Sequence, residues 1–266
     1  MENSRRQNNV NVLAKTKDTE PNLETGIKPE LNTNSNAFYG IGCGQNPYRK
    51  RLQKLLNFWN KLVRGRRIDY FICDGTLLGY QRNLDFLPYD HDIDICVNKT
   101  HFSTLLKLES KRPIRVKDKR PHLIISKPLA NGMRLNCKGI LVDTKMDACS
   151  IVSPAARVIL GDVNFIDVYP YTKGEIYSRA PKLQFEISDV YPTKPCWLAG
   201  IATRCPSKPE SMLEKVYGKK AVQNPSHICI KHQFVAARLD ERENELPWSI
   251  QRVNRFILKR FKTKSL

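Results

Sequence analysis

The 266-residue chain is long enough for one large domain or two small ones, and its 41% hydrophobic and 27% charged residues exclude a disordered or fibrous class. No run approaches the roughly 18 consecutive apolar residues of a membrane-spanning helix, and no apolar signal-peptide core stands at the N-terminus, so a soluble chain of undetermined compartment is expected. Forty-five Lys and Arg against 26 Asp and Glu give a net charge of +19, which favours polyanionic partners without choosing among nucleic acid, anionic membrane and phosphorylated substrates.

Residues 1–40 are rich in Asn, Lys, Thr and Glu and predict a disordered leader. Leu52, Leu55, Leu56, Trp59, Leu62 and Val63 then recur at helical spacing on a basic helix that begins near Tyr48 and is closed by Gly65. Ile68 to Cys73 is a β-rich run and predicts a strand. A turn at Gly75 and Thr76 feeds a short helix, Leu77 to Arg82. The segment Asp92 to Val97 alternates and then turns apolar, as a strand entering a core does. Thr100 is expected to cap a helix through Leu108.

Lys111 to Arg120 reads as a basic loop, with strands at His122–Lys127, Met133–Lys138 and Gly139–Asp143. Asn164 to Pro170 predicts another strand, ended by Pro170 and holding Asp167 among apolar neighbours. Such an acid is costly unless paired or bound to a cation. Tyr191 to Pro209 reads as a Pro-rich loop. Ser207 opens a helix that runs to Tyr217 and stops at Gly218. A last helix, Trp248 to Phe261, belongs to a tail with six basic and no acidic residues from Trp248 to the end. Its plainest reading is a solvated face, with an anionic membrane surface as another use.

The eight cysteines form no Cys-x-x-Cys pair. Cys73 and Cys96, in apolar runs, read as buried free thiols. Cys196 and Cys205 flank a short stretch and are placed for a disulfide in an oxidising compartment. Cys229 with His227 and His232 is a weak zinc candidate, since the spacing matches no ligand pattern. Asn98-Lys99-Thr100 is a glycosylation triplet of a kind that chance often produces.

The chemistry concentrates between Asp74 and Val97. Asp92 and Asp94, two apart on a strand, share a face, and Asp90 joins them by parity. Two carboxylates about 4 Å apart repel by roughly 4 kcal/mol at an effective dielectric near 20, so the set must share a proton, stay well solvated or bind a cation. Hard oxygens suit Mg²⁺ or Mn²⁺, and a turn at Gly75 and Thr76 lets phosphate approach the backbone. His91 lies between ligands and points to the other side, a structural position; Asp74 suits a turn or helix cap.

The stretch Gly75, Thr76, Leu77, Leu78, Gly79, followed by Arg82, Pro88 and Asp90-His91-Asp92-Ile93-Asp94-Ile95, resembles the LicD family, which includes fukutin and the fukutin-related protein. Phe165-Ile166-Asp167-Val168-Tyr169-Pro170 is similar to that family's third-carboxylate strand, and Pro206 to Glu210, Leu213, Tyr217, Gly218 and Pro225 to its closing segment. Tyr89 stands where Trp is common, His91 where Asp is common, and Lys219 to Val222 where acidic or aromatic residues are frequent.

The resemblance implies an α+β fold, a nucleotidyltransferase-like mixed sheet with helices packed against it, over residues 47–230, and leaves 231–266 as a basic helical extension. It implies transfer of a phospho-alcohol, phosphocholine or ribitol phosphate, from a CDP-linked donor to a glycan hydroxyl with release of CMP. Asp92, Asp94 and Asp167 would be the catalytic and metal-binding carboxylates for Mg²⁺ or Mn²⁺. Gly75, Thr76 and Arg82 would contact the donor, Arg82 having as its alternative an ion pair with Asp85 or Asp90. Arg134 and Lys138 are further candidates for neutralising charge. The partners implied are the CDP-linked donor and a glycan or glycoprotein, and not nucleic acid; relatives work in the cytoplasm or in the secretory pathway. Two other readings stand beside it: nucleotide addition to RNA, favoured by the +19 charge, and an inactive member that binds glycan or protein.

Overall fold

The structure is a computed structural model that describes residues 43–117, 119–127, 129–172, 175–176 and 183–236. The expected leader and the helix Trp248–Phe261 lie outside these residues.

Helix α1 (Arg49–Val63) forms where the apolar stripe predicts it and buries Leu52, Leu55, Leu56, Trp59 and Val63. Each fully buried side chain of this size contributes about 2 kcal/mol. The stripe packs on one face of a mixed sheet whose strand order is β1 (Tyr70–Ile72), β2 (Asp92–Asn98), β7 (Asn164–Thr172), β6 (Ala156–Leu160) and β3 (His122–Ile125). Only β2 and β7 run parallel along this path; the other neighbours are antiparallel. Helix α2 (Asp74–Asn83) joins β1 to β2, and α3 (Phe102–Lys107) follows β2. The expected α+β fold with a mixed sheet is the one observed.

Strand parity sorts the side chains. Ile93, Ile95, Val97, Ile166, Val168, Val158 and Leu160 enter the main core with α1. Asp92, Asp94, Phe165, Asp167, Tyr169 and Arg157 occupy the alternate positions and so share the opposite face. On that face Ile124 and Ile159 are covered by a second, smaller cluster with Ile114, Cys137, Cys149 and Ile151. The segment after α3, including the hairpin β4 (Arg134–Leu135) and β5 (Leu141–Val142), thus covers the β6–β3 end. The carboxylates stand on the β2–β7 end.

The remaining elements complete the frame: β8 (Glu175–Ile176) and β9 (Leu183–Gln184), the turn-length α4 (Ile187–Val190), the hairpin β10 (Lys194–Leu198) and β11 (Ile201–Cys205), α5 (Pro209–Tyr217), α6 (Lys219–Gln223), and the hairpin β12 (His227–Ile230) and β13 (Gln233–Ala236). Residues 233–236 of the C-terminal extension are therefore strand.

Several local expectations are corrected. Thr100 does not cap α3: it lies in a 3-10 turn, Lys99–His101, capped by Asn98, whose side-chain oxygen accepts from the Thr100 N–H at 3.1 Å and its hydroxyl at 2.9 Å, and the cap position of α3 itself, His101, makes no side-chain cap bond. Pro170 does not end β7, which runs on to Thr172, because Pro170 lies beyond the last β6 pair, Ala156–Val168, where that neighbour has already stopped. The stretch from Tyr191 contains a hairpin, with Pro195 tolerated in a two-stranded ribbon that has free edges. The helix read from Ser207 starts at Pro209, with Lys208 at the cap position and no side-chain cap bond.

All eight cysteines are paired: Cys43–Cys229, Cys73–Cys96, Cys137–Cys149 and Cys196–Cys205. The last pair is the expected one. Cys73 and Cys96 are not free thiols. Their strands pair Phe71 with Cys96 and Ile72 with Ile95, which brings Cys73 diagonally to 6.0 Å from Cys96 between Cα atoms, within bridging range. Cys229 is bonded to Cys43 and supplies no thiolate for zinc.

Candidate active site

Chain reversal between β1 and β2 builds the site. Cys73 is extended and donates its N–H to the Asp94 carbonyl at 3.1 Å. Asp74 then takes a left-handed φ of 45°, a conformation Asp tolerates better than most residues, and α2 begins. The first turn of α2 grips β2 twice: the Gly75 N–H donates to Asp94 Oδ2 at 3.1 Å, and the Asp94 N–H donates to Thr76 Oγ1 at 2.7 Å. Gly75 and Thr76 therefore position Asp94 directly. A Cβ at Gly75 would sit 3.0 Å from Asp90 Oδ2 and 3.3 Å from Asp94 Oδ2, so the missing side chain makes room for two carboxylates.

Asp90, His91 and Asp92 bring one ligand atom each within 4.8 Å of one another. Asn46, which the sequence reading passed over, holds the loop that carries Asp90: its Nδ2 donates to the Leu87 carbonyl at 2.6 Å and to the Asp90 carbonyl at 2.8 Å. His91 is exposed, with its N–H on Asp90 Oδ1 and its carbonyl accepting from Asn164.

The electrostatics follow from crowding. Burial first, and then the charge and hydrogen bond of Asp92, hold the Asp90 carboxyl well above the usual carboxylate range. Burial, followed by the charges of Asp92, Asp74, Asp90 and Asp167, does the same to Asp94. Burial, followed by the charges of Asp94, Asp167, Asp74 and Asp92, pushes the Tyr169 phenol up, so it stays neutral. The carboxylates supply oxygen donors of the kind that suits a hard divalent cation, with the exposed His91 ring beside them.

Asp167 stands opposite Asp94 in the β2–β7 register and opposite Arg157 in the β7–β6 register. Both its oxygens accept from Arg157, from Nε at 2.6 Å and from Nη2 at 2.8 Å. Burial still raises its carboxyl above the usual value, against the opposing pull of Arg157. The guanidinium lies 4.3 Å from the centre of the Phe165 ring, and its Nη1 is buried with no hydrogen-bond partner among the described residues. A buried donor left so costs about 1–3 kcal/mol. Lys145, exposed on the loop after β5, also acts on Asp167. Neither Arg157 nor Lys145 was singled out from the sequence.

Arg82 is buried, with Nε on the Val222 carbonyl at 3.3 Å and Nη2 on the Asn224 carbonyl at 3.1 Å, so it ties α2 to the end of α6. Asp85 pairs instead with Arg49 at 2.7 Å. Arg134 reaches the Asp143 carbonyl within its own hairpin, and Lys138 is exposed in the turn of that hairpin. Tyr89, beside the acidic run, meets the His227 ring at 4.5 Å and the Phe234 ring at 5.6 Å, which places the β12–β13 hairpin at the rim of the site.

No helix among the described residues is long and apolar enough to cross a membrane. The family model described as LicD/FKTN/FKRP, nucleotidyltransferase domain, matches residues 67–208, just over half of the chain. That span contains the carboxylates, the turn at Gly75 and Thr76, and Arg157. No curated protein matches the chain significantly.

Proposed function

The chain belongs to the LicD/FKTN/FKRP family, and from that premise we propose that it is a metal-dependent phosphotransferase that moves a phospho-alcohol from a CDP-linked donor to a glycan hydroxyl and releases CMP. The observation that carries this reading is the clustering of Asp90 and Asp92, with His91, next to Asp94, whose carboxylate meets that of Asp90 across Gly75 and stands beside Asp167, the carboxyls of Asp90 and Asp94 being raised by burial and by the neighbouring acids. Asp92 and Asp94, with Asp90 beside them, would hold Mg²⁺ or Mn²⁺, and the bound ion would neutralise phosphate oxygens as charge shifts to the leaving group.

The protein's own part is positional. The α2 turn fixes Asp94 through Gly75 and Thr76, and the Arg157 fork fixes Asp167. The acceptor hydroxyl oxygen bonds to the phosphorus of the phospho-alcohol, the bond from that phosphorus to the bridging oxygen breaks, and CMP leaves with the electron pair. Asp167 completes the carboxylate set or accepts the hydroxyl proton.

Measuring CMP release from CDP-choline, CDP-ribitol and CDP-glycerol with Mg²⁺ or Mn²⁺ tests the reading. Release from one donor, abolished by Asp92→Asn with Asp94→Asn, is the expected result; release unchanged in that double variant overturns it. The +19 charge favours a second reading, nucleotide addition to RNA, and label from radioactive NTPs appearing in RNA would select it.

A further inference from the structure

We infer that Arg157 is the anion-recognising residue of this site, holding Asp167 with one edge of its guanidinium and donating Nη1–H to a phosphate oxygen of a diphosphate donor. The inference rests on the reading of the neighbouring carboxylates as the cation half of a phosphoryl-transfer site.

Three observations on separate atoms support it. Arg157 is only 6% exposed, yet Nη1 has no partner among the described residues, whereas Nε and Nη2 are both engaged. Buried guanidinium groups in folded proteins use their donors, and one left open beside a polar site has an acceptor to recruit. Second, the guanidinium is fixed on two sides, by the Asp167 fork and by the Phe165 ring, so the free donor is held in place before any ligand arrives. Third, the registers place Asp94, Asp167 and Arg157 side by side on three adjacent strands.

Charge is therefore divided across the sheet face. Asp74, Asp90, Asp92 and Asp94 lie on the α2–β2 side, and Arg157, with Lys145 acting on the same Asp167, lies on the β6 side. A diphosphate has the same polarity to offer in reverse: oxygens that share a cation with the carboxylates, and further oxygens for a guanidinium fork.

The test titrates inorganic pyrophosphate into the full chain by calorimetry, with and without Mg²⁺, and follows Mn²⁺ binding separately by electron paramagnetic resonance. The variants are Arg157→Lys, which keeps the charge and loses the fork, and Arg157→Gln combined with Asp167→Asn, which removes both charges and strands neither. Pyrophosphate affinity is expected to fall at least tenfold in both variants, while Arg157→Lys, which keeps every carboxylate, still binds Mn²⁺ within a few-fold of the unaltered protein. Pyrophosphate binding within twofold of the unaltered protein in the double variant, or none in the unaltered protein, overturns the role of Arg157. Failure of the unaltered protein to bind Mn²⁺ overturns the carboxylate reading instead. In that case the metal-free pyrophosphate titration still decides on Arg157.

Discussion

Asp94 on β2 and Asp167 on β7 are direct partners in the one parallel pairing of the main sheet path, so two acids stand side by side on its central strands. They are treated differently. Asp167 is neutralised on both oxygens by Arg157, and Asp94 receives the Gly75 N–H and otherwise faces other acids. On the proposed reading, the crowded carboxylate is the one at which a cation would bind.

Without divalent cations, this crowding makes Asp94 a liability at neutral pH. Its folded-state carboxyl, like that of Asp90, is raised above the unfolded value of about 3.9. A group shifted that way supports folding below the unfolded value and withdraws the support as pH rises through the folded one. Asp94→Asn is expected to stabilise the metal-free protein by about 1 kcal/mol at pH 7, with the gain shrinking toward pH 4. Urea denaturation in EDTA across that range measures it. Adding Mn²⁺ at pH 7 should reverse the ranking, because only the native acid gains the ion. Destabilisation of equal size at every pH would contradict the argument.

Gly75 and Gly79, one turn apart on α2, are expected to fail in different ways when replaced by Ala. At Gly79 the new Cβ would lie 2.5 Å from the Asp85 carbonyl oxygen and 2.9 Å from the Leu87 nitrogen, both backbone atoms. Gly79→Ala should therefore cost about 3 kcal/mol of stability, read as a lower urea midpoint. At Gly75 the Cβ meets carboxylate ends, which can swing. Gly75→Ala should leave the midpoint within about 1 kcal/mol and weaken Mn²⁺ binding several-fold, since Asp90 and Asp94 must move apart.

The elements legible in the sequence are those whose pattern is complete within a few residues. The α1 stripe, the alternation of Asp92 and Asp94, and the acid inside the Asn164 strand were each read from a single window, and each element begins where it was expected, although β7 runs two residues past its expected end. What stayed hidden depends on register between distant windows. Arg157 sits in Ala156–Leu160, a five-residue run with no alternation, and becomes meaningful only once β6 is paired to β7. Cys73 and Cys96 look like two buried thiols until the β1–β2 register sets them diagonal. Asn46 lies 44 positions from the acid whose loop it pins, with no local signal.

Full pairing of all eight cysteines predicts that the chain folds in an oxidising compartment, where four bridges persist. Thiol titration of protein unfolded without reductant should detect less than one free thiol per chain. Replacing Cys196 and Cys205 together by Ser should cost about 3 kcal/mol, the chain-entropy value for so short a loop. The Cys43–Cys229 bridge closes a separation of 186 residues and should cost more when removed. Because Cys229 lies in the hairpin against Tyr89, its loss should also loosen the rim of the site. Eight titratable thiols in the unfolded, unreduced protein would refute the prediction.

Asn46 offers the sharpest separation of positioning from ligation. It is 6% exposed and satisfied at both ends: Nδ2 on the Leu87 and Asp90 carbonyls, and Oδ1 accepting the Tyr48 N–H at 2.7 Å. It contributes no atom to the carboxylate cluster, yet it fixes the backbone from which Asp90 reaches it. Asn46→Ala takes the side-chain donor from the Asp90 carbonyl and the acceptor from the Tyr48 N–H, leaves the Leu87 carbonyl with the Asp90 N–H alone among the described residues, and should destabilise by about 2 kcal/mol. Mn²⁺ affinity should fall with it, because Asp90 is no longer held beside Asp92. Asn46→Asp restores an acceptor for Tyr48 but no donor for the loop, and adds a negative charge next to a crowded acid, so it should be no better than Ala in stability. Mn²⁺ affinity unchanged in a folded Asn46→Ala protein would show that Asp90 stands outside the cation site, leaving Asp92 and Asp94 as its core.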